Sequence, residues 1–201
     1  MQGFGQRGRR LQLREYLRTE KLDIIFLQET IKQSFTDQEL RSLECGDRFF
    51  LAWLPANGHS CGLLLVIRDS TLEVGATDQE AFFLSATILH KDSRFIFEFI
   101  GVYRPANHSR SPEFLEELER KIEAATHPVV ICGDFTQIRG PRDKNKRNIN
   151  WTRVAMFNDF IARMALLEIH RSGVAFTWTN RHINPIRCVL DRVLASTEWE
   201  A

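Results

Sequence analysis

No stretch of this 201-residue chain is apolar for long enough to cross a bilayer. The strongest runs are Ile24-Ile25-Phe26-Leu27 and Leu63-Leu64-Leu65-Val66-Ile67, far short of the roughly 20 residues a membrane helix needs. The N-terminus is polar and arginine-rich with no apolar core behind it, so no secretory leader is expected. Cysteine is sparse. The thiols at 45, 61, 132 and 188 form no CxxC pair, which excludes a cysteine-based metal or redox motif and implies no disulfide framework. Free, mostly buried thiols in a reducing compartment, nuclear or cytoplasmic, are the expectation. Internal repeats, low-complexity tracts and long linkers are also lacking, and the length suits one domain spanning 1–201. With 43% apolar and 26% charged residues, wholly disordered and collagen-like readings are excluded.

A net charge of +1 compels no polyanionic partner, yet the charge is unevenly spread. Residues 1–138 carry a net −4, and residues 139–192 carry eleven Lys/Arg against four Asp/Glu. Arg139, Arg142, Lys144, Lys146, Arg147 and Arg153 crowd around and beyond Gly140-Pro141. Such a loop could contact phosphates, with salt-dependent affinity, or simply be solvated.

Periodicity predicts a helix over 9–19, with Leu13, Tyr16 and Leu17 on one face, then a buried strand at 24–28. Strands are expected at 48–54, 62–68, 82–89 and 94–103, the last with Phe95, Phe97 and Phe99 forming an aromatic face. Ser111 is the expected cap and Pro112 the expected first residue of a helix over 112–125. A short apolar strand at 129–132, an amphipathic helix over 152–166, and strands at 174–179 and 188–194 complete the pattern. Consecutive strands with interspersed helices suggest sheets packed face to face with helices outside.

Three carboxylates stand at strand ends or in apolar company: Glu29 after IIFLQ, Asp134 after VVICG, and Asp191 within CVLDRVL. A carboxylate so placed is costly to desolvate unless paired. It suits a Mg²⁺ site, since that ion prefers oxygen and is usually held by one or two carboxylates plus waters. It equally suits an ion pair.

The motifs Gln28-Glu29-Thr30, Val102-Tyr103-Arg104-Pro105, Gly133-Asp134-Phe135-Thr136, Phe176-Thr177-Trp178-Thr179-Asn180 and Leu190-Asp191-Arg192 follow one another in a fixed order. Together they resemble the endonuclease/exonuclease/phosphatase superfamily. The 23–30, 157–161 and 190–193 stretches are similar, more narrowly, to the endonuclease domain of plant non-LTR retrotransposons of the long interspersed element type. The resemblance implies a four-layer α/β sandwich, two packed and mainly antiparallel sheets flanked by helices, that hydrolyses DNA phosphodiesters with Mg²⁺. By position, Glu29 matches the metal-binding glutamate and Tyr103 the tyrosine that contacts the phosphate. Asp134 matches the aspartate that orients or deprotonates the attacking water. Thr177 matches a polar residue near the site, and Asp191 the aspartate that positions a catalytic histidine. Thr136, Arg104, Lys144, Lys146 and Arg147 are the substrate-binding candidates. DNA is the expected partner, no membrane is, and a monomer is the favoured state.

The sequence departs from that pattern in four places. It starts at Met1-Gln2-Gly3, after the family's asparagine-bearing first strand, and stops at Trp199-Glu200-Ala201, before a Ser-Asp-His motif. The first and last strands are therefore expected to be missing. None of His59, His90, His108, His127, His170 and His182 sits in the catalytic context. Thr136 stands where asparagine is expected, and Arg104 where glycine is. Impaired catalysis is the expectation, with a non-catalytic remnant that at most binds nucleic acid or protein as the alternative.

Overall fold

The computed structural model describes residues 7–43, 46, 48–57, 60–103, 108–173, 175–180 and 182–200. It divides into two compact units, Met1–Phe97 and Glu98–Ala201. Both are mixed α/β, with sheets flanked by helices, which is the expected class. Among the described residues no helix is long and apolar enough to cross a membrane.

In the first unit, β3 (Ser60–Arg68) lies between β1 (Ile24–Leu27) and β2 (Phe49–Asn57), antiparallel to both. One face of this sheet is covered by helices. Leu13 and Leu17 of α1 (Arg7–Glu20) join Ile25, Leu27, Leu64 and Val66 of the strands. Leu40 of α2 (Asp37–Arg41), Phe35 and Leu43 complete that core. Tyr16, expected on the buried face of α1, is exposed. Leu63, Leu65 and Ile67 alternate onto the other face of β3 and are buried as completely. A strand buried on both faces reads as an unbroken apolar run.

The short α2 has no apolar periodicity of its own and was not expected. A reciprocal capping box between Thr36 and Glu39 starts it. The Glu39 carboxylate also pairs with Lys32 and, at 3.1 Å, with Arg10. β4 (Leu72–Gln79) forms an antiparallel hairpin with β5 (Phe83–His90). β4 too escaped the sequence reading, because all but Leu72 and Val74 of it is polar or exposed.

In the second unit, four strands run in the order β6-β7-β11-β8. β6 (Ile96–Tyr103) and β7 (Val129–Asp134) are parallel, joined through α3 (Ser111–Ala124). β11 (Asp191–Ser196) is antiparallel to β7 and to β8 (Leu166–Glu168). Phe114 of α3, Phe135, and Phe157 and Phe160 of α4 (Trp151–Arg163) are fully buried. Their ring centroids are 5.3–6.3 Å apart in sequence along that row, the spacing of favourable aromatic contacts. Ser111 is not the cap of α3. It is the first helical residue, the N-cap is Arg110, and no side chain caps the helix. The α4 helix stops before the expected residue 166, because Ala165 adopts φ 47° and turns the chain into β8. The expected strand 188–194 is two strands: β10 (Arg187–Cys188), which pairs with β9 (Trp178–Thr179), and then β11. On β6 the aromatic face is present at Phe97 and Phe99, but Glu98 and Ile100 opposite are buried as well, so both faces are covered.

The loop after β1 is fixed by one close approach. The Thr30 amide donates to the Gly62 carbonyl at 3.0 Å. Gly62 has φ +86°, and a Cβ there would lie 2.4 Å from Thr30 Oγ1 and 3.1 Å from the Ile31 nitrogen. Gly62→Ala therefore meets both a left-handed backbone cost of about 1–2 kcal/mol and a clash. Urea denaturation should show the variant destabilised by more than that backbone cost alone.

Candidate active site

The strand order of the second unit places four of the sequence-predicted residues together. Tyr103 ends β6 and is the register partner of Asp134, which ends β7. Asp134 is in turn the register partner of Asp191, the first residue of β11. Parallel and antiparallel register partners share a face of the sheet, so Tyr103, Asp134 and Asp191 line one face at one rim. Thr177 joins them through the backbone: its Oγ1 accepts from the Leu190 amide at 2.9 Å and from the Asp191 amide at 3.1 Å. The Phe135 amide donates to the Leu190 carbonyl at 3.0 Å. The stretch that delivers Asp191 is thus held from two sides.

The turn after β7 positions the Asp134 carboxylate. Its Oδ1 accepts the Thr136 amide at 2.6 Å. To make that bond Thr136 adopts φ 47°. A β-branched residue is a true outlier there, whereas asparagine enters that region several-fold more readily. Glu29 and Ile31, at φ 55° and 54°, show the same left-handed geometry in the loop after β1. Backbone outliers of this kind cost about 1–3 kcal/mol and cluster at functional sites.

Glu29 belongs to the first unit, where the Thr30–Gly62 contact holds its loop. Arg104 lies outside the described residues. Lys144, Lys146 and Arg147 lie on the segment that runs along 184–189. The Asn145 amide donates to the Arg187 carbonyl at 3.1 Å, and Asn145 Oδ1 accepts from the Arg187 amide at 2.9 Å. Lys144 Nζ donates to the Asn148 carbonyl at 2.5 Å and Lys146 Nζ to Asn184 Oδ1 at 2.7 Å. Arg147 is exposed.

On the opposite face of β11 sits a group that the sequence reading did not single out. The Arg192 guanidinium, its side chain 2% exposed, pairs with Asp143 at 2.6 Å and with Glu168. Arg139 also pairs with Glu168, at 2.9 Å, and with Asn158 Oδ1, at 3.0 Å. An arginine inside an apolar strand was the available signal, since a guanidinium there needs carboxylate partners.

Two carboxylates on directly opposed positions of neighbouring strands repel each other. Asp134 and Asp191 are such a pair, and a hard cation relieves that repulsion. Two carboxylates also match the donors Mg²⁺ commonly takes, waters and substrate phosphate completing its shell. Among the described residues no set of three or more His, Cys, Asp or Glu side chains is arranged as a complete cage. Cys132, one register step along the same face of β7, has its thiol pushed up to about 12 by burial and, secondarily, by the Asp191 charge.

The chain belongs to the Endonuclease/Exonuclease/phosphatase family, which it matches over residues 2–201, and nucleases of this family are generally metal-dependent. No curated protein matches it. Among solved structures, it is similar to the AP endonuclease LMAP from Leishmania major, at TM-score 0.70 and 17% identity over 92% of this chain and 73% of that one. It is similar to the endonuclease domain of TRAS1, a telomere-specific non-LTR retrotransposon, at 0.68 and 12% over 94% and 79%. The Bacteroides thetaiotaomicron mannosyl-6-phosphatase Bt3783 follows at 0.63 and 13% over 97% and 78%. At these identities the likeness is one of fold.

Two measurements test the local reading. Thr136→Asn should raise the unfolding free energy by about 1 kcal/mol, as the strain at φ 47° is relieved. For Cys132 the folded pKa lies above the unfolded value of about 8.5, so the unfolded chain loses its proton first as pH rises. Stability should fall between about pH 8.5 and 12, and denaturation across that range should show a smaller fall in Cys132→Ala.

Proposed function

We propose that this chain is a Mg²⁺-dependent DNA endonuclease domain of the non-LTR retrotransposon, long interspersed element type, with its catalytic rate impaired. The observation that carries the reading is the meeting of Tyr103, Asp134, Asp191 and Thr177 at one rim of the second unit. The order of the sequence motifs supports the retrotransposon assignment, and the net positive 139–192 stretch supports a polyanionic substrate. Two of the similar structures are named as endonucleases, one of them of a non-LTR retrotransposon.

Cleavage of a phosphodiester by in-line attack builds negative charge on the equatorial and leaving oxygens. The Tyr103 phenol donates a hydrogen bond to a phosphate oxygen without adding charge. The Asp134 carboxylate, oriented by the Thr136 amide, holds the attacking water and accepts its proton. Asp191 matches the family's histidine-orienting carboxylate, and the Thr177 hydroxyl fixes its backbone. By its match to the family motif Glu29 is the residue that would hold Mg²⁺, and such an ion would supply positive charge.

The impairment rests on Thr136. It keeps the backbone bond to Asp134 at the cost of a strained conformation, and it lacks the carboxamide that would present a donor and an acceptor to substrate. None of the chain's histidines falls in the segments that form the rim. The same observations favour the second reading, a remnant that binds nucleic acid or protein without cleaving.

A supercoiled-plasmid nicking assay with Mg²⁺ decides between them. Slow nicking that falls at least about 10²-fold in Asp134→Ala, and that rises in Thr136→Asn, is the expected result. Plasmid binding with no nicking in either the natural chain or Thr136→Asn selects the remnant.

A further inference from the structure

The stretch 139–153 carries six cationic side chains and a single carboxylate, Asp143. That carboxylate is turned inward. Its Oδ2 accepts from Arg192 at 2.6 Å and from the Arg139 amide at 2.7 Å. The Asp143 carbonyl accepts the Val189 amide at 2.8 Å. Two residues on, Asn145 is bonded in both directions to Arg187, and its Nδ2 donates to the Pro185 carbonyl at 2.9 Å. The segment is therefore bolted to the 185–192 stretch at Asp143 and Asn145. The outward side chains beside these bolts are Arg142 and Arg147, both exposed.

We propose that Asp143 is a positioning residue: by committing its charge to the buried Arg192, it holds segment 139–147 as a preformed ridge whose Arg142 and Arg147 guanidiniums contact the phosphate backbone of DNA. This rests on the DNA reading given above. The physical logic is preorganisation. A loop free to move loses entropy when it docks on a phosphate chain, and a fixed one does not. An acidic residue pointing outward would also cancel one of the two cations; buried against Arg192 it cancels none outside.

The inference makes a prediction opposite to simple charge counting. Removing a carboxylate from a basic segment should tighten binding to a polyanion. Breaking the bolt should weaken it. Fluorescence anisotropy with a labelled DNA duplex across a KCl series, on the full chain, reads this directly. Arg142→Ala combined with Arg147→Ala should flatten the slope of log affinity against log salt by up to about 2. Asp143→Asn should weaken binding and flatten the slope in the same sense, and should add little to the double arginine variant. Should Asp143→Asn fail to fold by thermal melting, Asn145→Ala serves instead, because it loosens the same segment without touching Arg192 or the net charge. Tighter or unchanged binding in the folded Asp143 or Asn145 variant overturns the proposal, as does an unchanged slope in the arginine variant. A natural chain with no salt-dependent affinity for the duplex removes the DNA reading itself, a failure visible before any variant is made.

Discussion

Asp191 stands directly across from Asp134 on the neighbouring strand, and the rest of the rim is arranged around that unfavourable neighbour relation. Like charges at opposed positions weaken a sheet. Here the pair is kept in place by bonds that spend no charge at all: one threonine hydroxyl accepting two consecutive amides, and one strand-end amide given to Leu190. These bonds come from backbone amides and a hydroxyl, so the repulsion between the carboxylates can be relieved by a cation arriving with substrate.

Beneath that rim a second set of charges does the opposite work. Arg192 and Arg139 against Asp143 and Glu168 form a neutral set in which the Arg192 guanidinium is buried. Such a set adds little over an apolar replacement, yet leaving the buried guanidinium unpaired costs about 3–5 kcal/mol. Its value is therefore in specifying geometry. One residue of the strand presents a carboxylate to one face and the next sends a guanidinium to the other, so the alternation of a β-strand connects two tasks. The Nε of Arg192 is buried with no hydrogen-bond partner among the described residues, a sign that the guanidinium is aimed at its carboxylates and not at complete satisfaction.

The sequence made the apolar framework legible. Short apolar runs such as LLLVI and VVIC, bounded by turn residues, mark strands, and the α1 and α4 stripes follow from helical spacing. Elements that escaped are short or polar: α2 depends on a capping box, β4 on pairing with its hairpin partner, and the three-residue β8 on a single left-handed residue, Ala165. At the site, the rim residues were found through the order of motifs. Their convergence could not be read from composition, since register places Tyr103 and Asp191 on either side of Asp134 only after the strands have paired. The Arg192 group was missed because its carboxylate partners, 24 and 49 positions away, are unremarkable in the sequence.

The β9–β10 hairpin shows a further consequence. Its ladder is only two residues long on each strand, and much of its remaining support comes from side-chain amides: Asn180 gathers the His182 and Ile186 amides, while Asn145 and Asn184 tie in the basic segment. Little apolar surface is committed there, and Ile183 at its tip stands wholly in solvent. Segments fastened this way exchange their amide hydrogens through local opening, well before the sheet beside them lets go. That opening belongs to the turn around Ile183, because Pro185 and Arg187 are held to Asn145 of the basic segment.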